Sequence, residues 1–150
     1  MKKVLLSAML LFALSFSANA QEVGARWGNI GRDTNNFGLD AIISLGRFSR
    51  VHTDVSFGDD VGFDALFDFA YRPLGSSNIN WYAGIGPSFS FGSPFSWGAS
   101  GEIGAEYHFQ GLPISLGVDW RPTYWFEDPS GWSTDGWGVN LRYCFGARNK

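Results

Sequence analysis

The sequence predicts an all-β chain, an eight-stranded antiparallel up-and-down transmembrane β-barrel preceded by a cleaved signal peptide. Three observations lead there. Large apolar residues alternate with small or polar ones from Asp40 to Phe145, and no stretch after Gln21 carries the spacing of an amphipathic helix. Turn residues divide that alternation into about eight segments, each near the ~9–11 residues that cross a bilayer as a tilted strand. A short apolar run behind two lysines precedes all of it.

That run sets the domain organisation. Lys2 and Lys3 form a positive start, Val4 to Phe16 an apolar stretch, and Ala18-Asn19-Ala20 a small-residue cleavage site before Gln21. The apolar stretch is shorter than the ~20 residues a spanning helix needs, so it reads as an export signal and not as an anchor. Residues 1–20 are therefore expected to be removed, and 21–150 to form the barrel. With 150 residues there is room for one domain. An aromatic content of 17% with a net charge of −3 excludes a disordered tail and gives no reason to expect a nucleic-acid partner. A lone Cys144 excludes an internal disulfide and any CxxC metal motif.

The strands are expected at 22–30, 37–46, 48–57, 63–72, 79–91, 96–110, 114–126 and 136–146. Each follows from parity, because successive side chains of a strand point to opposite faces. The first is the weakest, with Arg26 set inward beside Trp27 outward. The third puts Val51, Val55 and Phe57 against Arg50, His52, Asp54 and Ser56. The fourth puts Phe63, Ala65, Phe67, Phe69 and Tyr71 against Asp64, Asp68 and Arg72. In the sixth, Ala99, Gly101, Ile103, Ala105, Tyr107 and Phe109 oppose Glu102, Glu106, His108 and Gln110. The seventh sets Leu116, Val118, Trp120, Tyr124 and Phe126 against Asp119 and Arg121, and the last sets Trp137, Val139, Leu141, Tyr143 and Phe145 against Asn140, Arg142 and Cys144. Pro87 and Pro122 fall inside strands, where a closed barrel has no edge to hide a missing N–H, so a bulge is expected at each, with a broken or shifted fifth strand as the alternative at Pro87.

Volume decides which face points inward. The interior of an eight-stranded barrel is just wide enough for side chains to fill. It can take the polar face, which carries Gly84, Gly86, Gly98, Gly104, Gly117 and Gly138, but not the aromatic one. The aromatics must point out. Depth agrees with a bilayer, whose interfaces favour aromatic rings. Phe69, Tyr71, Trp81, Tyr107, Phe109, Tyr143 and Phe145 lie at the strand ends near the termini. Phe57, Phe63, Phe91, Trp97, Phe126 and Trp137 lie at the far ends, with Ala65, Ala83, Ile85, Ile103, Val118 and Leu141 between the two girdles.

The segment Gly104–Phe109, the turn Gly111-Leu112-Pro113 and the run Gly117-Val118-Asp119-Trp120-Arg121-Pro122 resemble the small outer-membrane β-barrel proteins of Gram-negative bacteria, the OmpA-like and OmpX-like eight-stranded barrels. The resemblance covers the mature chain in pattern and is specific in motif over Trp97–Phe126. The alternation from Trp137 to Phe145 is similar to the C-terminal signal read by the barrel-insertion machinery. The resemblance implies a place in the outer membrane, in contact with its lipid and lipopolysaccharide, and a monomer. It does not name an activity, since members do many different things.

The inward set holds whatever chemistry there is: Arg50, His52, Asp54, Asp64, Asp68, Arg72, Glu102, Glu106, His108, Asp119, Arg121 and Arg142. Charges in a narrow lumen must be paired. They are therefore expected to fill it as a network, with Arg121, Arg142, Asp119 and Glu102 as a cross-lumen cluster, and the protein to have a structural or interaction role without catalysis. The alternative is a narrow gated channel for ions or small solutes, porin-like, and cation-preferring because acids outnumber arginines in this set. A lipopolysaccharide-modifying acyl hydrolase or transferase is more remote. His52 and His108 are the only histidines, both inward, and no far-side loop offers a base. His108 with Glu106 and Glu102 has the residue types of a metal site, yet same-face residues two apart occur in any polar barrel wall, so no metal or cofactor is expected. The far loops carry Asp33, Asp59, Asp60, Glu127, Asp128 and Asp135, read as solvated tips, although hard cations bridging lipopolysaccharide phosphates would suit such a rim.

Overall fold

A computed structural model describes residues 21–30, 33–75, 78–127 and 130–145; the expected signal segment 1–20 lies outside them. All elements in the described residues are strands: β1 (Glu22–Ile30), β2 (Asp33–Ser44), β3 (Arg50–Phe57), β4 (Val61–Pro73), β5 (Ile79–Ser90), β6 (Ser96–His108), β7 (Ile114–Trp120), β8 (Thr123–Trp125), β9 (Gly131–Ser133) and β10 (Trp137–Cys144). Their pairing is antiparallel, runs from neighbour to neighbour, and closes where β10 meets β1. β7 and β8 pair with β6 in one continuous register, and β9 and β10 together face them from the other side. The ten segments thus make eight staves of a closed up-and-down barrel. At the seam the Phe145 amide donates to the Gln21 carbonyl at 2.7 Å.

Alternation does what the volume argument requires. Trp27, Phe67, Phe69, Ile85, Trp97, Ile103, Val118, Trp120, Leu141 and Tyr143 are exposed on the outer wall, while the buried side chains are mostly polar or charged. Arg26 is fully buried and Trp27 faces out, so the weakest strand follows the same parity. The outer rings pack on one another: Trp27 on Trp137, Trp97 on Phe126, Tyr107 on Phe109 and Tyr143 on Phe145, with centroids 4.5–5.3 Å apart.

One irregularity reverses two expected orientations. Asp68 faces Gly84 but Ala70 faces Ala83, so Phe69 is an extra residue in β4. Beyond such a bulge the parity flips. Tyr71, expected in the outer girdle, turns into the lumen opposite Tyr82. Arg72, expected in the lumen, emerges opposite Trp81 and lays its guanidinium 3.7 Å from the centroid of Phe48.

The two prolines behave differently from each other. The bulge expected at Pro87 is absent: Pro87 faces Ala99 in an unbroken ladder with β6, and the register toward β4 is the same at Asp64–Ser88 and Phe67–Ile85. Only the rungs at Ala65 and Leu66 are missing, which confines the loss of the proline N–H to one side. Pro122 does interrupt its stave, between β7 and β8. Three residues from Trp120 to Thr123 are matched by four from Trp137 back to Ser133, so the extra residue lies on the facing strand.

Inward glycines make space for the large inward side chains. A Cβ at Gly104 would collide with the ring of Tyr82 and the Val118 carbonyl, and one at Gly138 would collide with the Arg26 guanidinium. Gly104→Val is expected to cost about 1–3 kcal/mol by overpacking, measured by denaturant unfolding of the refolded barrel.

Candidate functional site

The lumen is the one place where the described residues concentrate chemistry, and it is filled in tiers along the barrel axis. Nearest the terminal end, Glu22, Tyr71, His108 and Cys144 are partly exposed at the mouth, over a buried Ser115. Below them, Arg50 Nε donates to Asp68 at 2.7 Å and Arg50 Nη1 to Glu106 at 2.9 Å. Its guanidinium carbon lies 4.4 Å from the centroids of both Tyr71 and Tyr82. Arg142 reaches the same Glu106 at 3.1 Å and Asp40 at 2.7 Å. His52 lies between two carboxylates, with Nδ1 at 3.0 Å from Glu102 and Nε2 at 3.1 Å from Asp40.

Deeper still, Arg121 holds three acids, Asp54 at 2.7 Å, Asp64 at 2.6 Å and Glu102 at 2.9 Å. Arg26 pairs with Asp119, which also accepts from Asn140 at 2.7 Å. Toward the far end the described inward residues are mostly hydroxyls: Ser88, Ser100 and Thr123 form a hydrogen-bonded chain, Ser56, Ser90 and Ser96 are buried, and Trp125 turns inward at 3% exposure.

Of the twelve residues expected here, the barrel brings eleven inward and places Arg72 outside. The expected four-residue cluster divides. Arg121 and Glu102 are bonded, but Asp119 pairs with Arg26 and Arg142 with Asp40 and Glu106. Arg26 and Asp40 complete the network and stand outside the expected set. Asp40 was legible in principle, since Gly38 and Asp40 alternate with Phe37, Leu39 and Ala41. Ile42 obscures that pattern because it is an apolar residue on the inward face, buried beside His52 and Leu66.

Arg50, His52, Asp54, Asp68, Glu106 and Arg142 each keep 2% of their surface or less, so the middle of the lumen is packed. Charge pairs at such depth stand or fall with their partners: keeping both is tolerable, and removing one leaves an uncompensated ion. The loop acids are partly engaged locally. Glu127 accepts the Trp97 amide at 2.8 and 2.9 Å, and Asp135 accepts from Ser133 at 2.6 Å, while Asp128 lies outside the described residues.

Fold and site together define a small closed antiparallel β-barrel with a charged, filled interior. No protein-family model matches the chain, and no curated protein or solved structure does either.

Proposed function

We propose that the chain is an integral outer-membrane β-barrel protein, akin to the OmpA-like and OmpX-like barrels, with a structural or interaction role and no catalytic activity. The inverted distribution of polarity carries this reading. Aromatic and aliphatic side chains cover the outer wall, while arginines and carboxylates lie buried within. Water would impose the opposite arrangement, because exposing that much apolar surface and burying that much charge are both unfavourable in solution. In a bilayer the same arrangement lowers the free energy, since a closed barrel satisfies its backbone internally and presents a mostly apolar wall to lipid.

In this reading residues 1–20 direct export, the strand ending at Phe145 engages the insertion machinery, and the monomer's neighbours are outer-membrane lipid and lipopolysaccharide. The narrow gated channel is the second reading. The packing of Arg50, Arg142 and Arg121 across the lumen favours the closed barrel over it.

Expression of the full chain in a Gram-negative host, followed by fractionation, tests the proposal. Recovery in the outer-membrane fraction, released only by detergent, is the expected result; recovery in the aqueous phase without detergent overturns it. Planar bilayers containing the refolded mature protein are expected to show no steady current, and steady cation-selective conductance would replace the closed barrel with the channel.

A further inference from the structure

The terminal-end mouth of the lumen carries Glu22, His108 and Cys144, of which His108 touches the ion-pair network through Glu106. Glu22 of β1 pairs in register with Cys144 of β10, Ser115 of β7 lies beside Arg142 of β10, and His108 of β6 pairs with Ser115. Four adjacent staves thus bring Glu22, Cys144 and His108 together. One carboxylate oxygen, the thiol sulfur and one ring nitrogen all lie within 4.8 Å of one another.

From this juxtaposition we propose that Cys144, His108 and Glu22 form a binding site for a zinc-class divalent cation, open toward the mouth. The donor set of thiolate, imidazole and carboxylate is one that zinc accepts, three protein ligands being the usual number when a fourth position is left open. The spacing agrees. Zn–S and Zn–N bonds of about 2.3 and 2.0–2.1 Å place sulfur and nitrogen about 3.5 Å apart in a tetrahedral centre. Cys144 Sγ and His108 Nδ1 are 3.9 Å apart, so both reach a common ion with a shift of a few tenths of an ångström.

The outer contacts make the argument stronger than the spacing alone. A metal-bound histidine characteristically gives its other ring nitrogen to a carboxylate, and a metal-bound carboxylate is itself hydrogen-bonded. Both conditions are met. His108 Nε2 lies 2.9 Å from Glu106 and 3.2 Å from the Tyr71 hydroxyl, which leaves Nδ1 turned toward Cys144. Ser115 Oγ donates to Glu22 at 3.1 Å. All three ligands are partly exposed, so an ion has a way in. The two other histidine-carboxylate clusters, Asp40 with His52 and Asp54, and His52 with Asp68 and Glu102, are fully buried. Their carboxylates are already held by Arg142, Arg121 and Arg50. A cation would have to displace those arginines, so the mouth is the better site.

The test is titration of the refolded mature protein with Co2+ in detergent, followed by competition with Zn2+. One equivalent is expected to give a thiolate-to-cobalt charge-transfer band in the near ultraviolet, abolished by Zn2+. Cys144→Ser should lose the band, and His108→Gln and Glu22→Gln should each weaken Zn2+ binding at least tenfold in calorimetry. The circular dichroism of each variant shows that the barrel is intact. If Cys144→Ser fails to fold, the same readings on Glu22→Gln and Ser115→Ala decide, because neither removes the sulfur. A folded protein that binds neither ion, or one whose binding survives these substitutions, overturns the proposal.

Discussion

Replacing Arg121 by leucine is expected to lower the stability of the barrel by about 3–5 kcal/mol, the cost of leaving buried carboxylates without their cation. Arg121 is 4% exposed and is held by three acids. Glu102 and Asp54 keep His52 at 3.0 and 3.7 Å when the guanidinium goes, so the uncompensated charge falls mainly on Asp64. Asp64→Asn in the Arg121→Leu background should therefore recover part of the loss, a coupling that a double-mutant cycle in denaturant measures directly. A lumen filled with water would solvate the orphaned acids and blunt the effect, and the same variant would then change ion selectivity in a planar bilayer. Unchanged stability together with altered selectivity would refute the closed-barrel reading.

The second large effect belongs to the outer wall. Ile103 is half exposed, midway along β6 between Ala83 and Trp120 on the neighbouring staves. Ile103→Arg should cost about 2–4 kcal/mol for a barrel folded in lipid vesicles, because a charge there faces hydrocarbon near the midplane. The side chain makes no polar contact and already has space around it, so in an aqueous protein the same change would be nearly neutral. Unfolding in vesicles compared with wild type gives the answer. A difference within a few tenths of a kcal/mol would count against the membrane proposal.

Much of this barrel is legible from period two. Parity places Arg50, His52, Asp54, Asp64, Glu102, Glu106, Asp119, Arg121 and Arg142 inward, and a narrow interior dictates that the glycine-bearing face goes with them. What parity lacks is any sign of a local insertion. The bulge at Phe69 exchanges Tyr71 and Arg72 between faces, yet the stretch from Phe63 to Arg72 alternates except at Leu66 and Ala70, and neither apolar residue by itself marks an insertion. The signal lies in the partner strand's register, which is not a local property. Pairing within the lumen is hidden for a related reason. Arg26 meets Asp119 across 93 positions of sequence, and Arg142 meets Asp40 across 102. Which acid an arginine reaches depends on strand tilt and stagger summed around the ring, so the members of the network could be named from the sequence but not its bonds.

The seam between β1 and β10 means that the barrel cannot close until the whole chain is present. Glu22 faces Cys144 and Asn29 faces Trp137, so the first stave to leave the ribosome is completed by the last. Until then β1 carries one row of unpaired amides and carbonyls, and β7 carries another. Sheets with such free edges recruit other chains, and contacts of long sequence separation form slowly. The chain therefore stays vulnerable to aggregation until its final residues are present. Assembly is close to all-or-none: a product ending short of Trp137 has two raw edges and no way to seal them, while the finished ring has none.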